Sequence, residues 1–148
     1  MTATATEDTF CWPVRVYWED TDAGGIVFYA NYLKFFERAR TEWLRSLGVQ
    51  QQRLREETGG MFVVSGTELR YHRPARLDDL LQVTARVGEL GRASMTLQQE
   101  AWLTQDGQRT TLLCEGSIRI GWVQAGEAVD DLRPGRIPQP IINVLQPR

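Results

Sequence analysis

The sequence is poor in cysteine and histidine. Its 148 residues include two cysteines, Cys11 and Cys114, and a single histidine, His72. Two cysteines are too few for a disulfide framework, and neither lies in a C-x-x-C spacing that would favour a metal. His72 stands at a predicted strand end with no serine or cysteine motif near it, which argues against a Ser-His-Asp triad. We therefore expect reduced thiols and no metal site.

Long apolar runs and an excess of positive charge are also absent. No apolar segment reaches the length needed to span a bilayer, and the first eight residues lack the basic start and apolar core of a secretory signal. The net charge of -2 and the pI near 5.5 do not favour a nucleic-acid partner, because neutralising phosphates needs a clustered positive surface. The sequence thus predicts a cytoplasmic protein with no membrane span and no nucleic-acid partner.

The length of the chain and the order of its patterns predict one α+β domain across residues 1–148. Residues 1–11 are polar and should form a flexible tail. Residues 124–148 are rich in proline and glycine and should form an extended C-terminal strap. No internal repeat or linker divides the region between them.

The predicted core contains one long helix and five strands. Apolar residues recur every three and four positions over 30–47, which predicts an amphipathic helix closed by Gly48, and a shorter helix is expected at 50–58. Segments with strand-like content lie at 12–18, 61–71, 80–90, 93–103 and 109–122. An antiparallel sheet hides its apolar face by curling around the long helix, which is the hot-dog arrangement. Unpaired edge strands favour a homodimer or a homotetramer.

The most informative segment is the acidic, glycine-rich loop at residues 20–25, and three interpretations of it compete. A calcium loop starting at Asp20 would place Gly24 and Asn31 at its fifth and twelfth ligand positions, which argues against calcium. A solvated turn whose acids stabilise the dipole of the following helix is a simpler alternative. A catalytic loop is the third, because the first turn of a helix presents N–H groups without partners inside the helix, and these can hold a developing oxyanion.

Four sequence blocks favour the catalytic interpretation, namely 12–17 (WPVRVY), 19–25 (EDTDAGG), 35–42 (FFERARTE) and 74–79 (PARLDD). Together they resemble the Tol-Pal-associated acyl-CoA thioesterases, a branch of the 4-hydroxybenzoyl-CoA thioesterase family, and the resemblance spans residues 12–121. It implies a hot-dog enzyme that hydrolyses an acyl-coenzyme A to the free acid and coenzyme A, with no cofactor beyond the coenzyme A of the substrate.

The resemblance also implies roles for individual residues. The catalytic aspartate falls on Asp22, which would act as general base on water or as nucleophile on the thioester. The amide that holds the thioester oxygen falls on Tyr29, and Gly25 would allow the backbone to approach closely. Some family members carry a histidine at the position of Tyr29, so a histidine-assisted mechanism is not implied here.

Binding residues are less well defined by the sequence. Arg92 and Ser94 align with a segment that contacts coenzyme A phosphates in the family, although Arg92 fits a solvated turn equally well. Trp18, Phe28 and Phe62 are candidates for an acyl pocket, and core packing explains them nearly as well.

Two other functions on the same fold stay open at this point. One is a non-catalytic module that binds acyl-CoA or an acyl carrier protein. The other is a dehydratase, which is disfavoured because that chemistry pairs a histidine with an aspartate and His72 is poorly placed for it. The sequence does not define acyl length, aromatic against aliphatic preference, or the number of subunits.

Overall fold

The computed structural model describes residues 9–126 and 131–146. Short 3-10 turns at Trp18–Asp20 and Tyr29–Asn31 precede the first long helix. The strands are β1 (Phe10–Arg15), β2 (Gly60–Tyr71), β3 (Leu80–Leu90), β4 (Ser94–Gln105), β5 (Gln108–Ala125) and β6 (Leu132–Pro134), and the helices are α1 (Tyr32–Ser46), α2 (Gln51–Thr58) and α3 (Gln139–Leu145).

The main strands form one antiparallel sheet in the order β1-β3-β4-β5-β2, and the short β6 pairs with the end of β5. Within the described ranges, β1 and β2 are edge strands, because each pairs with one neighbour only. Helix α1 packs on one face of this sheet, mainly against β1, β3 and β4. This is the predicted α+β arrangement of a sheet around one long helix, with a sixth, three-residue strand that the sequence did not predict.

Helix α1 forms where the apolar period predicts it. The residues that recur at three and four positions are buried against the sheet, namely Tyr32, Phe35, Phe36, Ala39, Trp43 and Leu44. Gly48 adopts a φ of 86°, and the amides of Gly48 and Val49 donate to the carbonyls of Arg45 and Leu44. This pair of bonds is a Schellman cap, so the predicted stop at Gly48 is confirmed. No helix in the described part of the chain is both long and apolar enough to cross a membrane.

A buried polar network fixes α1 on the sheet. The side-chain amide of Gln99 in β4 donates to the carbonyl oxygens of Phe36 (3.0 Å) and Thr84 (3.1 Å). Its own oxygen accepts a hydrogen bond from the Arg40 guanidinium at 3.0 Å. Burial lowers the pKa of Arg40, and the charge of nearby Glu37 opposes this effect. These bonds satisfy the polar groups of Gln99 inside an apolar core and thereby define how the helix sits on the sheet.

The N-terminal prediction is corrected in two ways. The first strand begins at Phe10, inside the predicted tail, because Phe10 and Cys11 pair with β3. It ends at Arg15, and Trp18 lies in a 3-10 turn, since the carboxylate of Asp20 accepts the amide of Tyr17 and turns the chain. The remainder of the predicted tail, residues 1–8, lies outside the described residues.

The predicted C-terminal strap contains regular structure. Strand β5 continues to Ala125, β6 pairs beside its end, and α3 follows at Gln139–Leu145. The first turn of α3 tolerates Pro140 because a proline near a helix start removes no internal hydrogen bond. Residues 127–130 and 147–148 of the predicted strap lie outside the described residues.

Candidate active site

The loop between β1 and α1 folds back on itself like a small hairpin. The amide of Asp22 donates to the carbonyl of Ile26 at 2.9 Å, and the amide of Phe28 donates to the carbonyl of Asp20 at 3.0 Å. Between these bonds, Thr21 and Val27 form an antiparallel bridge. The returning half of the hairpin runs directly into the 3-10 turn and α1, so the main chain at Asp20 and Asp22 pairs with the segment that leads into the helix.

The connection between β2 and β3 supports this loop from the side. The amide of Val27 donates to the carbonyl of Ala75 at 2.9 Å, and the amide of Leu77 donates to the carbonyl of Gly25 at 3.4 Å. The hydroxyl of Tyr32 accepts the amide of Ala75 at 3.1 Å. The acidic loop is therefore joined by main-chain bonds to the connection between β2 and β3, which the Tyr32 hydroxyl links to the first turn of α1.

The two aspartates of the loop have different surroundings. Asp20 is 4% exposed, its carboxylate accepts the amide of Tyr17 at 2.8 Å, and its carbonyl accepts the side-chain amide of Asn31 at 2.8 Å. Asp22 is exposed, and its Oδ1 accepts the amide of Gly24 at 2.9 Å. None of the ion pairs among the described residues involves Asp22. Asp20 thus holds the loop together, whereas Asp22 presents a carboxylate to solvent.

The helix entrance next to this loop offers open amides. The amide of Asn31 donates to the carbonyl of Phe28 at 2.8 Å and is the first hydrogen bond of the turn. The N–H groups of Tyr29 and Ala30 precede it, so they have no acceptor within the helix and lie at the positive end of its dipole. Asp20 pairs with Phe28, the residue before Tyr29. Asp22 lies two residues further along the hairpin, and in extended chain this step separates the Cα atoms of Asp20 and Asp22 by about 7 Å.

Gly24 and Gly25 of the loop are favoured as glycine for different structural reasons. Gly25 has a φ of 78°, and a Cβ there would meet no atom within 4 Å. Its role within this chain is therefore conformational, and no close approach to another group of the chain is found at Gly25. A Cβ on Gly24 would instead lie 3.3 Å from Oδ1 of Asp22, so a side chain at Gly24 would crowd the exposed carboxylate.

The three aromatic candidates for an acyl pocket do not meet in one place. Trp18 is 81% exposed and Phe28 is 44% exposed, and both lie on the loop surface. Phe62 packs edge-on against Trp122 with ring centroids 5.0 Å apart. It also lines a cavity of about 260 Å³ between α1 and the sheet, together with Glu37, Arg40, Thr41, Trp43, Leu44, Gln51, Val63, Val64, Met95, Leu97 and Ile120.

Arg92 and Ser94 lie at the opposite end of the sheet from Asp22. The start of β3 adjoins the acidic loop, because the amide of Val16 donates to the carbonyl of Asp79 at 2.9 Å. Arg92 follows the other end of β3, and a strand of 11 residues spans roughly 30 Å. The structure of one chain therefore does not bring Arg92 and Ser94 together with Asp22.

Tyr71 is a site neighbour that the sequence patterns did not indicate. Its hydroxyl donates to the carbonyl of Tyr29 at 3.1 Å. The two residues are 42 positions apart, and no local pattern links the end of β2 to the helix entrance. Only the folded sheet brings them into contact.

The fold and this loop define the class of the protein: a hot-dog protein with an exposed acid beside open helix amides. The family model described as the thioesterase superfamily matches residues 24–110. The sequence is 40% identical over 135 residues to acyl-CoA thioesterase YbgC of Haemophilus influenzae, covering 91% of this chain and 93% of that protein. It is 38% identical over 133 residues to acyl-CoA thioester hydrolase YbgC of Escherichia coli, covering 90% and 92%. The chain therefore belongs to the thioesterase superfamily.

A solved structure of the same fold agrees with the sheet and helix described above. It is a mutant 4-hydroxybenzoyl-CoA thioesterase in complex with 4-hydroxybenzoyl-CoA, with a TM-score of 0.84 and 20% sequence identity, covering 93% of this chain and 99% of that one. At this identity the likeness concerns the fold alone, and it confirms the predicted hot-dog architecture.

Proposed function

We propose that this protein is an acyl-CoA thioesterase and that Asp22 is its catalytic carboxylate. The observation that carries the proposal is the exposed Asp22 side chain on a rigid loop that runs into the open amides of Tyr29 and Ala30. The names of the two curated relatives, which cover at least 90% of the chain, support acyl-CoA as the substrate class.

The proposed reaction uses the carboxylate and the amides on the same carbonyl. Asp22 removes a proton from water as the water attacks the thioester carbon, or it attacks that carbon itself and forms an anhydride that water then hydrolyses. In either route the carbonyl oxygen becomes an oxyanion, which the amide of Tyr29 stabilises. The C–S bond breaks and coenzyme A leaves as a thiolate, which takes the proton held by Asp22 or, in the anhydride route, a proton from water, and the acyl group leaves as a carboxylic acid.

We place the acyl group in the cavity that Phe62 lines. Eight of its lining residues are apolar or aromatic and come from α1 and the neighbouring strands, a composition suited to an acyl or aryl group. Arg40 and Glu37 contribute charge to the same cavity. Trp18 and Phe28 are exposed on the loop and would contact the substrate at the surface, before it enters the core.

The separation of Arg92 from Asp22 leads us to propose a homo-oligomer with shared sites. Arg92 and Ser94 of one chain lie roughly 30 Å along β3 from its own Asp22. In a homodimer or homotetramer, they would bind the coenzyme A phosphates of a substrate whose thioester lies at Asp22 of another subunit. Exposed apolar side chains at Tyr29, Val64 and Tyr71 provide surface for such an assembly.

Three finer points of the proposal rest on the four sequence blocks. We place the chain in the Tol-Pal-associated branch, which predicts that its gene lies beside genes of that system. We expect it in the cytoplasm, which cell fractionation with an antibody to the protein would test. An acyl carrier protein is a further candidate partner, and hydrolysis of acyl-loaded carrier protein would demonstrate it.

Thiol release from acyl-CoA tests the proposed activity. The purified protein is mixed with short, long and aromatic acyl-CoAs, and thiol is measured with a chromogenic reagent while the acid is measured by chromatography. We expect thiol and acid in equal amounts for at least one acyl class. Saturable binding in calorimetry with no release of thiol from any acyl-CoA would instead identify a non-catalytic binding module.

A further inference from the structure

Tyr71 joins the edge strand β2 to the helix entrance. Its hydroxyl donates to the carbonyl of Tyr29 at 3.1 Å. Its ring stands edge-on to Tyr29 at 6.3 Å and to Tyr32 at 5.7 Å between ring centroids. Because these contacts link the end of a strand to the first helical residues, Tyr71 restrains the backbone at the point where the open amides lie.

The hydrogen bond from Tyr71 acts on a peptide group of the candidate oxyanion site. The carbonyl of Tyr29 belongs to the peptide whose N–H is that of Ala30. A carbonyl that accepts a hydrogen bond is polarised, which makes the N–H of the same peptide a stronger donor. On the other side of Tyr29, the carbonyl of Phe28 accepts the amide of Asn31 at 2.8 Å. Both peptide groups that flank Tyr29 are therefore held and polarised by a hydrogen bond to their carbonyl oxygen.

We propose that Tyr71 is a positioning residue: through the Tyr29 carbonyl it polarises the Ala30 amide and fixes the backbone that presents the Tyr29 amide to the developing oxyanion. This inference rests on the proposed thioesterase function, because it assigns Tyr71 a role at the same site. Preorganised donors stabilise a transition state best when no reorganisation is needed during the reaction. Tyr71 itself does not touch the substrate in this role and exchanges no proton with it.

The protonation state of Tyr71 suits a donor. Burial, the largest cause, raises the pKa of the Tyr71 phenol above its ordinary value near 10, and the charges of Cys114 and Tyr29 act in the same direction. Tyr32, whose ring packs against Tyr71, is also a phenol, and burial raises its pKa too, so it is neutral at the same pH. The hydroxyl therefore stays protonated from pH 6 to pH 9, so its effect on catalysis should not change with pH over this range.

Replacing Tyr71 by phenylalanine tests the proposal, because the ring contacts remain and the hydroxyl is lost. We expect kcat to fall about three- to tenfold, the equivalent of one neutral hydrogen bond, with KM within about twofold of the wild type. The same factor should be found at every pH from 6 to 9. Tyr17→Phe is the matched control, since Tyr17 is also an exposed tyrosine, at 59%, and it should leave kcat unchanged.

A spectroscopic readout separates positioning from a general loss of structure. In amide NMR spectra, Tyr71→Phe should shift the Ala30 N–H resonance, while urea unfolding and the resonances of β4 stay as in the wild type. Unchanged kcat in Tyr71→Phe, an equal loss in Tyr17→Phe, or a loss explained by a smaller folded fraction would overturn the role of Tyr71. If Asp22→Asn also retained full activity, the proposed thioesterase site itself would be wrong, so the two failures are distinguishable.

Discussion

Two aspartates separated by a single residue differ in burial and in their hydrogen bonds. Asp20 is buried, and its carboxylate accepts a hydrogen bond from the amide of Tyr17, so Asp20 stabilises the loop. Asp22 is exposed, and among the described contacts its carboxylate accepts only the adjacent turn amide of Gly24. The sequence motif contains both acids and does not indicate which one is catalytic, whereas the family resemblance implies that the second, Asp22, is. The exposure of Asp22 supports that choice on physical grounds.

The buried thiol of Cys114 should make the fold sensitive to alkaline pH. Burial, the largest cause, raises the pKa of Cys114 to about 12, and Glu115 adds to it. A thiol in the unfolded chain titrates near 8.5, so the unfolded state loses its proton first as pH rises. The contribution of Cys114 is therefore complete below about pH 8.5 and is lost progressively up to about pH 12.

Urea unfolding between pH 8 and pH 10 measures this effect. We expect the free energy of unfolding to fall by up to about 1.4 kcal/mol per pH unit above pH 8.5 from this one group. Cys114→Ala should be less stable at pH 8 but should have a shallower pH dependence. Equal slopes for the wild type and Cys114→Ala would contradict the assignment.

At the scale of elements, the sequence patterns correctly predicted the long helix and most strands, because their bounds depend on residues that are close in the chain. The long helix followed from its apolar period and its Gly48 cap, and the strands β2 to β5 lie within a few residues of their predicted bounds. The predicted end of β1 was wrong, because the turn there depends on a hydrogen bond from the Tyr17 amide to the Asp20 carboxylate rather than on strand propensity. The C-terminal helix α3 was missed, since it is only seven residues long and lies in a proline-rich context.

The acidic loop should depend on the positive φ of Gly25. Because a Cβ is disfavoured in the left-handed region, Gly25→Ala should lower the free energy of unfolding by about 1 kcal/mol. Gly25→Asn should cost less, because asparagine tolerates this conformation better than alanine. Urea unfolding of the three proteins checks the order. If both variants were as stable as the wild type, the loop would not require the conformation found at Gly25.

At the scale of the whole molecule, the candidate site includes residues that are far apart in the chain, so the sequence alone did not predict all of it. Asp22, Gly25 and Tyr29 are close in the chain, and the fold keeps them together. Tyr71 joins them only through the sheet. Arg92 and Ser94 resemble part of the same site in sequence, yet they lie at the far end of β3. If a second copy completes the site, as we propose, no pattern in the sequence of one chain would show it.

If each active site is shared between two subunits, two inactive variants should restore activity when they assemble into the same oligomer. Asp22→Asn and Arg92→Ala chains are co-expressed with different tags, and mixed oligomers are purified and assayed below the wild-type KM. In purified mixed dimers, one of the two sites would combine an intact Asp22 with an intact Arg92 of the partner subunit, so activity should return to about half that of the wild type. Activity no higher than that of the separate variants would show that Arg92 does not serve the site of another subunit.

The steady-state rate of Asp22→Asn is the most direct measure of the central claim. Asparagine keeps the oxygen that accepts the Gly24 amide, so the loop should persist while the basic and nucleophilic carboxylate is lost. We predict a kcat about 10²-fold to 10⁴-fold lower than that of the wild type, with unchanged urea unfolding and unchanged affinity for coenzyme A. Glu19→Gln, which neutralises an exposed acid on the same loop, should keep wild-type kcat. An Asp22→Asn protein that hydrolyses acyl-CoA at the wild-type rate would show that the carboxylate at the helix entrance is not the catalyst.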